Sequence, residues 1–298
     1  MKVIPHSTLE GHRGAIYSLL HRAEDNTLIS GGSDGWMVEW DLSASSKDGK
    51  LIARADGTIF SMALLSDLSY LVAGNMNGQL FHIDLKNKKI LKSLKLHAGS
   101  VFALAVRGQE ILSCGGDGYI VLSDINTGQP KASVQISSKS LRTIKIIDDL
   151  AYIGCSDGHI YTFCLQTLQH KVWVSHAHHS SVFSLCPGGQ NTLYSGGRDA
   201  RLINWKMDEI PSIIKDINAH WFTVNDIHYL PEFEVVVTAS RDKTIRFWSG
   251  HELNLLKSID ALKGGHINSV NICCWIPEAQ MLVSAGDDRT IRLWKIGF

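Results

Sequence analysis

The chain has 298 residues, 44% hydrophobic and 19% charged, with 29 basic side chains against 29 acidic ones. That composition excludes wholesale disorder, and the zero balance counts against electrostatic capture of nucleic acid or of an anionic membrane. The opening Met1-Lys2-Val3-Ile4-Pro5 lacks the apolar run of a signal peptide, and no later stretch is apolar for long enough to span a bilayer.

Residues 2–8 form an extended run with no repeat of their own. A short apolar strand follows at 15–20, then a second at 28–32 that closes on small residues. Asp34-Gly35 marks a tight turn, because glycine tolerates the positive φ that a hairpin demands. A third strand ends on Trp40 and a fourth covers 51–53. The same order then returns, anchored at Asp34, Asn77, Asp117, Asp157, Asp199, Asp242 and Asp288, with spacings of 43, 40, 40, 42, 43 and 46 residues. A period of about 40–45 residues with four short strands per unit predicts a propeller blade. The expected blades are 15–55, 58–96, 100–137, 140–175, 181–218, 223–260 and 269–296, the last joined by 2–8. No stretch sustains a helical period, so the expected class is all-β.

Four units repeat the same residues most fully. In each, Asp and Trp stand six apart, a hydroxyl residue precedes the Asp by four, and a His precedes it by 21 or 22. The sets are His12, Ser30, Asp34 and Trp40; His178, Ser195, Asp199 and Trp205; His220, Thr238, Asp242 and Trp248; His266, Ser284, Asp288 and Trp294. With Gly11-His12, Trp40-Asp41 and Gly265-His266, the chain resembles the tryptophan–aspartate (WD) repeat family along its whole length. The resemblance implies a single seven-bladed β-propeller with four antiparallel strands per blade, its last blade closed by the N-terminal strand. It also implies that each set is a side-chain hydrogen-bond chain. Indole only donates, hydroxyl and imidazole do both, and carboxylate only accepts, so the order Trp, Ser/Thr, His, Asp satisfies every group. Blades two, three and four depart from the pattern: Ala55, Ala73, Asn77 and Ile83 replace the set in blade two, blade three has Ser123 at the Trp position beside His97, Ser113 and Asp117, and blade four keeps only Asp157, with Ser137, Ile153 and Phe163.

Ser, His and Asp are also the groups of a catalytic triad, but four copies in one chain mark a structural part. His176, His178 and His179 lie close enough for a transition metal, yet His178 belongs to a repeat set, and a connecting loop is the plainer reading. No cofactor or metal is expected. The six cysteines, Cys114, Cys155, Cys164, Cys186, Cys273 and Cys274, show no CxxC spacing and read as reduced thiols of a cytoplasmic protein. Of the tryptophans outside the repeat position, Trp173 and Trp275 sit in strand patterns and are expected in the core, whereas Trp221 follows His220 in a loop and is an interface candidate.

In the family that the chain resembles, one mouth of the propeller is the common binding face, fed by two positions per blade. The first set here includes Tyr17, Phe60, Phe102, Arg142, Phe183, Asn225 and Asn271; the second includes Met76, Arg198, Arg241 and Asp287. Four aromatics, three Arg and a Met are the residue types enriched in interface cores. The expected function is therefore a non-catalytic scaffold, monomeric by itself, for a protein or peptide with an apolar anchor and an acidic flank. A propeller enzyme, either a hydrolase or a metal-dependent lyase, would need convergent carboxylates or His, and Asp287 is the one acid in these sets. Binding of single-stranded nucleic acid could use the Arg and aromatic positions, and the zero net charge argues against it.

Overall fold

The computed structural model describes residues 1–44, 47–65 and 69–297. The regular structure is strand throughout, apart from four three-residue 3-10 turns among the described residues. The strands form seven four-stranded antiparallel sheets. The first sheet takes Ile16–Arg22, Thr27–Gly32, Trp36–Asp41 and Lys50–Arg54 in chain order. Five more follow at 59–95, 101–135, 141–174, 182–218 and 224–259. The seventh takes Val270–Ile276, Met281–Gly286 and Thr290–Gly297, and its fourth strand is Lys2–Glu10 from the other end of the chain. Each sheet is a blade, and the observed fold is the all-β, seven-bladed propeller read from the repeat.

Residue pattern follows strand position. The second strands, such as Thr27–Gly32, Val235–Ser240 and Met281–Gly286, are buried at every residue, so both faces must be apolar or small. Fourth strands such as Lys89–Lys95 alternate exposed and half-buried residues, which is the signature of one covered face.

The residues cluster into two compact units, 9–144 and 1–8 with 145–298. In the first unit, Ile29, Met37, Ile59, Leu71 and Ile83 fill the space between sheets one and two, and Val72, Leu80, Val101 and Ile111 fill that between two and three. In the second unit, Leu193 and Ile203 centre one core, Leu202, Val224 and Trp248 another, and Val237, Phe247, Leu282 and Trp294 a third. Met1 and Val3 pack on that third core, so the N-terminal strand contributes side chains as well as backbone pairing.

The turn between second and third strands imposes one conformation on every blade. Its last residue has positive φ: Gly35 at 74°, Gly78 at 81°, Gly118 at 82° and Gly158 at 86°, but Ala200 at 66°, Lys243 at 73° and Arg289 at 66°. At the glycines, a Cβ would lie 2.0–2.3 Å from a backbone carbonyl oxygen of the following connection, so space and conformation both demand glycine there.

Candidate interaction site

The repeated side chains form the chain of bonds that their chemistry allows. The indole N–H of Trp40, Trp205, Trp248 and Trp294 donates to Ser30, Ser195, Thr238 and Ser284 at 2.8, 2.8, 2.9 and 2.9 Å. Those hydroxyls meet Nε2 of His12, His178, His220 and His266 at 2.7, 2.8, 2.7 and 2.8 Å. Each Nδ1 meets its aspartate, Asp34, Asp199, Asp242 or Asp288, at 2.9 Å. With neutral imidazole, the hydroxyl donates to Nε2 and the Nδ1 proton goes to the carboxylate, leaving no donor or acceptor of the chain idle. Burial holds His12 and His220 below the ordinary imidazole value, against the pull of their aspartates, which fits that neutral form. Burial also opposes the charge on Asp288, but the His266 and Thr290 hydrogen bonds outweigh it and hold the carboxyl at about 2. Asp199 and Asp242 are lowered in the same way.

The three divergent blades substitute other bonds. In blade three His97 meets Asp117 at 3.1 Å and Ser113 at 2.8 Å, and Ser123, in place of Trp, donates to the Ile111 carbonyl. In blade four the Tyr161 hydroxyl donates to Asp157 at 2.8 Å. In blade two the pinning residue is Asn75 rather than the aligned Asn77. Its Oδ1 accepts the backbone N–H of Asn77 and Gln79 at 3.0 and 2.9 Å, and its Nδ2 donates to the Asp56 carbonyl at 2.6 Å. Sequence alignment missed Asn75 because it stands two residues from the repeat position. The side chain is fully buried beside the turn, which the sequence does not display.

Six of the seven residues in the first set of binding candidates have a backbone cause. Pairing of first and second strands skips one residue between Ile16 and Ser18, Ile59 and Ser61, Val101 and Ala103, Val182 and Ser184, Val224 and Asp226, and Val270 and Ile272. The skipped residues are Tyr17, Phe60, Phe102, Phe183, Asn225 and Asn271. At such a bulge the register passes over one residue, and its side chain is re-aimed out of the pleat. The second set is tied beside the first. Backbone N–H groups of Met76, Arg198, Arg241 and Asp287 donate to the carbonyls of Thr58, Ser181, Thr223 and Ser269 at 2.8, 2.8, 3.0 and 2.9 Å, each acceptor lying two residues before a bulge.

In the unit of residues 9–144 the bulged aromatics form a ladder, one rung per blade. Tyr17 and Phe60 have ring centroids 5.3 Å apart, Phe60 and Phe102 also 5.3 Å, and the Arg142 guanidinium lies 4.2 Å above the Phe102 ring. All four are half-buried, and Met76 beside them is 47% exposed. In the unit containing 145–298, the bulged side chains of blades six and seven are amides bonded to neighbouring groups. Asn225 donates to Ser269 Oγ at 3.1 Å and to the Val270 carbonyl at 2.8 Å, and Asn271 donates to Asp287 at 2.7 Å. Asn225 therefore spends both amide protons within the protein, and Asp287 is already engaged. Phe183 is half-buried, while Arg198 and Arg241 are exposed.

Two expectations about aromatics need correction. Trp173 and Trp275 are half-buried rather than core residues. Trp173 stands edge-on to Tyr152 at 5.1 Å, and Trp275 edge-on to Phe233 at 6.0 Å with its indole N–H unpartnered. Each flanks a core that other side chains already fill. Trp221 is 82% exposed. Among the described residues no group of three His, Cys, Asp or Glu could hold a metal ion, and the His176 ring stacks edge-on with His159 at 4.6 Å. All six cysteines are free thiols. Among the described residues no helix is long and apolar enough to cross a membrane.

Residues 4–41, 211–249 and 256–295 match the family model of the WD domain, G-beta repeat. These three stretches are WD repeats, and the fold of the chain is a seven-bladed β-propeller. It is similar in fold to the WD40 β-propeller domain of Doa1, with a TM-score of 0.86 at 18% identity, over 99% of this chain and 97% of that one. Autophagy-related protein 16 of Arabidopsis thaliana is 24% identical over 265 residues, which cover 84% of this chain and 51% of the relative. A guanine nucleotide-binding protein subunit beta of Oryza sativa subsp. japonica is 21% identical over 261 residues, covering 83% and 60%. This propeller thus spans little more than half the length of the two relatives.

Proposed function

We propose that this propeller is a non-catalytic interaction module, and that the bulged positions of its first strands read the partner. The observation that carries the proposal is the ladder Tyr17–Phe60–Phe102 under the Arg142 guanidinium, kept half-exposed by a bulge in blade after blade. Aromatic rings offer large contact area with few rotors to freeze, and Arg offers a planar fork to a carboxylate. A peptide with an apolar anchor and an acidic flank matches that pairing. Phe183, Arg198, Arg241, Asn225, Asn271 and Asp287 hold the equivalent positions of their own blades and are assigned the same role, with the Asn residues contributing by positioning. The name of the rice relative, a subunit, supports work within an assembly. The six free thiols support a reducing compartment, and we assign the protein to the cytoplasm as a monomer until its partner binds.

The test is capture of a partner from the native source by the wild-type protein, followed by binding to variants. Phe102→Ala is expected to weaken binding roughly tenfold through lost contact. Arg142→Glu and Arg241→Glu are expected to weaken it with an effect that shrinks as salt rises. Melting temperatures should stay close to wild type, and Lys47→Glu serves as a distant control. Full binding by all three variants would refute the assignment, and turnover of a small molecule by the purified protein would refute the non-catalytic reading.

A further inference from the structure

The turns of blades six and seven carry side chains that neither the hydrogen-bond network nor the aromatic ladder uses. Trp221 is 82% exposed, Phe222 59% and Ile267 61%. Their backbones are nonetheless held. The Trp221 N–H donates to Asp242 at 3.1 Å, the Ser240 hydroxyl donates to the Phe222 carbonyl at 3.3 Å, and the Ile267 N–H donates to Asp288 at 3.2 Å. Only a backbone N–H is needed after the network histidine. Arg13, Ala98 and His179 supply it in other blades, so the fold itself does not ask for an indole or an isoleucine. Trp221 and Phe222 are consecutive and Ile267 holds the position equivalent to Trp221 in the next blade, and large apolar groups displayed on held turns mark contact surfaces.

The same turns carry cations in an unusual place. Lys243 at φ 73° and Arg289 at φ 66° occupy the left-handed position that blades one to four give to glycine. A left-handed backbone at a non-glycine residue costs stability, and where glycine serves the same turn in other blades it motivates a role for the side chain outside folding. Arg241 is exposed beside them, its N–H tied to the Thr223 carbonyl at 3.0 Å, which places it against the Trp221–Phe222 loop. Asp242 and Asp288 stay ionised under neutral His220 and His266, but the Arg246 and Arg292 guanidinium groups lie 3.8 and 3.9 Å from them. Arg241, Lys243 and Arg289 then face the exposed carboxylate of Asp287, a local cationic excess in a chain whose formal net charge is zero.

We propose that these turns form a second docking surface, for a protein segment that carries acidic residues around an aromatic or aliphatic anchor. Trp221, Phe222 and Ile267 receive the anchor, and Arg241, Lys243 and Arg289 receive the carboxylates. Arg241 alone is shared with the positions assigned above, so either surface can fail without the other.

The probe is a fluorescein-labelled synthetic peptide of Asp and Glu around a central Phe-Leu pair, followed by fluorescence anisotropy on the full chain. Its controls are the same peptide with Gln and Asn in place of the acids, single-stranded oligo-dT, and phosphatidylserine vesicles. The acidic peptide is expected to bind in preference to all three, and added salt should weaken it. Trp221→Ala should cost roughly tenfold in affinity. The double variant Lys243→Gly, Arg289→Gly should cost about fivefold while holding or raising the melting temperature, because it restores glycine to both turns. Phe102→Ala should leave this binding unchanged. The proposal is overturned if the acidic peptide does not bind saturably, if Trp221→Ala or the double variant binds like wild type, or if oligo-dT or the vesicles bind more tightly than the peptide.

Discussion

Asp242 accepts four hydrogen bonds: from His220 at 2.9 Å, from the Trp221 N–H at 3.1 Å, and from the Thr244 N–H and hydroxyl at 3.0 and 2.6 Å. Removing the carboxylate strands all four donors, and one of them belongs to a fully buried imidazole. Asp242→Ala is expected to cost about 1–3 kcal/mol. Asn75→Ala should cost a similar amount, since it frees the same kind of turn in blade two, whereas Asn77→Ala should stay within about 0.5 kcal/mol. Thermal melts of the three purified variants check this, and equal losses at Asn75 and Asn77 would contradict it. The pairing of Asp with Trp at a fixed spacing made four networks legible in the sequence. The role of Asn75 was not legible, because an amide can pin a turn from a different register than a carboxylate, and the alignment sees register alone.

At the scale of the element, the strand Lys2–Glu10 completes the seventh blade against Thr290–Gly297 and sets Val3 on the core around Trp294. Deleting residues 1–8 would uncover the backbone edge of Thr290–Gly297 and part of that core. The truncated protein is expected to melt at a lower temperature and to aggregate on standing, followed by light scattering and size-exclusion chromatography. An unchanged melt with a monomeric profile would show that the strand is dispensable. This strand was legible from the missing fourth strand of the last repeat. The bulges were not: a skipped pairing is a relation between two strands, and the alternation of Ile16-Tyr17-Ser18 reads the same with or without it. Their consequence, half-exposed aromatics, reached the sequence analysis only through the family resemblance.

For the whole molecule, the buried histidines and the network aspartates set the acid side of stability. Burial, assisted by Lys92, pushes His82 down to about 4, and His12 and His220 are also lowered. A histidine whose folded value lies below its unfolded value of about 6.5 resists protonation in the folded state alone. Its contribution is complete above that unfolded value and is lost as pH falls toward the folded one. Asp199, Asp242 and Asp288 are lowered below the ordinary carboxylate value, so their contribution is lost in turn as pH falls below about 4. The melting temperature should be flat near neutrality, decline from about pH 6.5, and continue to decline below pH 4. His82→Leu should flatten the upper part of that decline, between about pH 6.5 and 4, relative to wild type. A wild-type melting temperature that rises on acidification would contradict the sign.

A residue passed over by the register at a bulge is not held to the size and shape of one opposite number across the strand. Tyr17, Phe60, Phe102, Phe183, Asn225 and Asn271 are in that position on six blades. Their ties run sideways instead, from Phe60 to Tyr17 and Phe102 and from Asn225 to Ser269, so inheritance can treat them as letters that change with their neighbours on the next blade. Under the proposed role, mutation there would rewrite which partner is recognised while the scaffold keeps its grammar, so one architecture could drift between clients without passing through an unfolded ancestor. A combinatorial library confined to those six codons would explore new specificities on an unaltered frame.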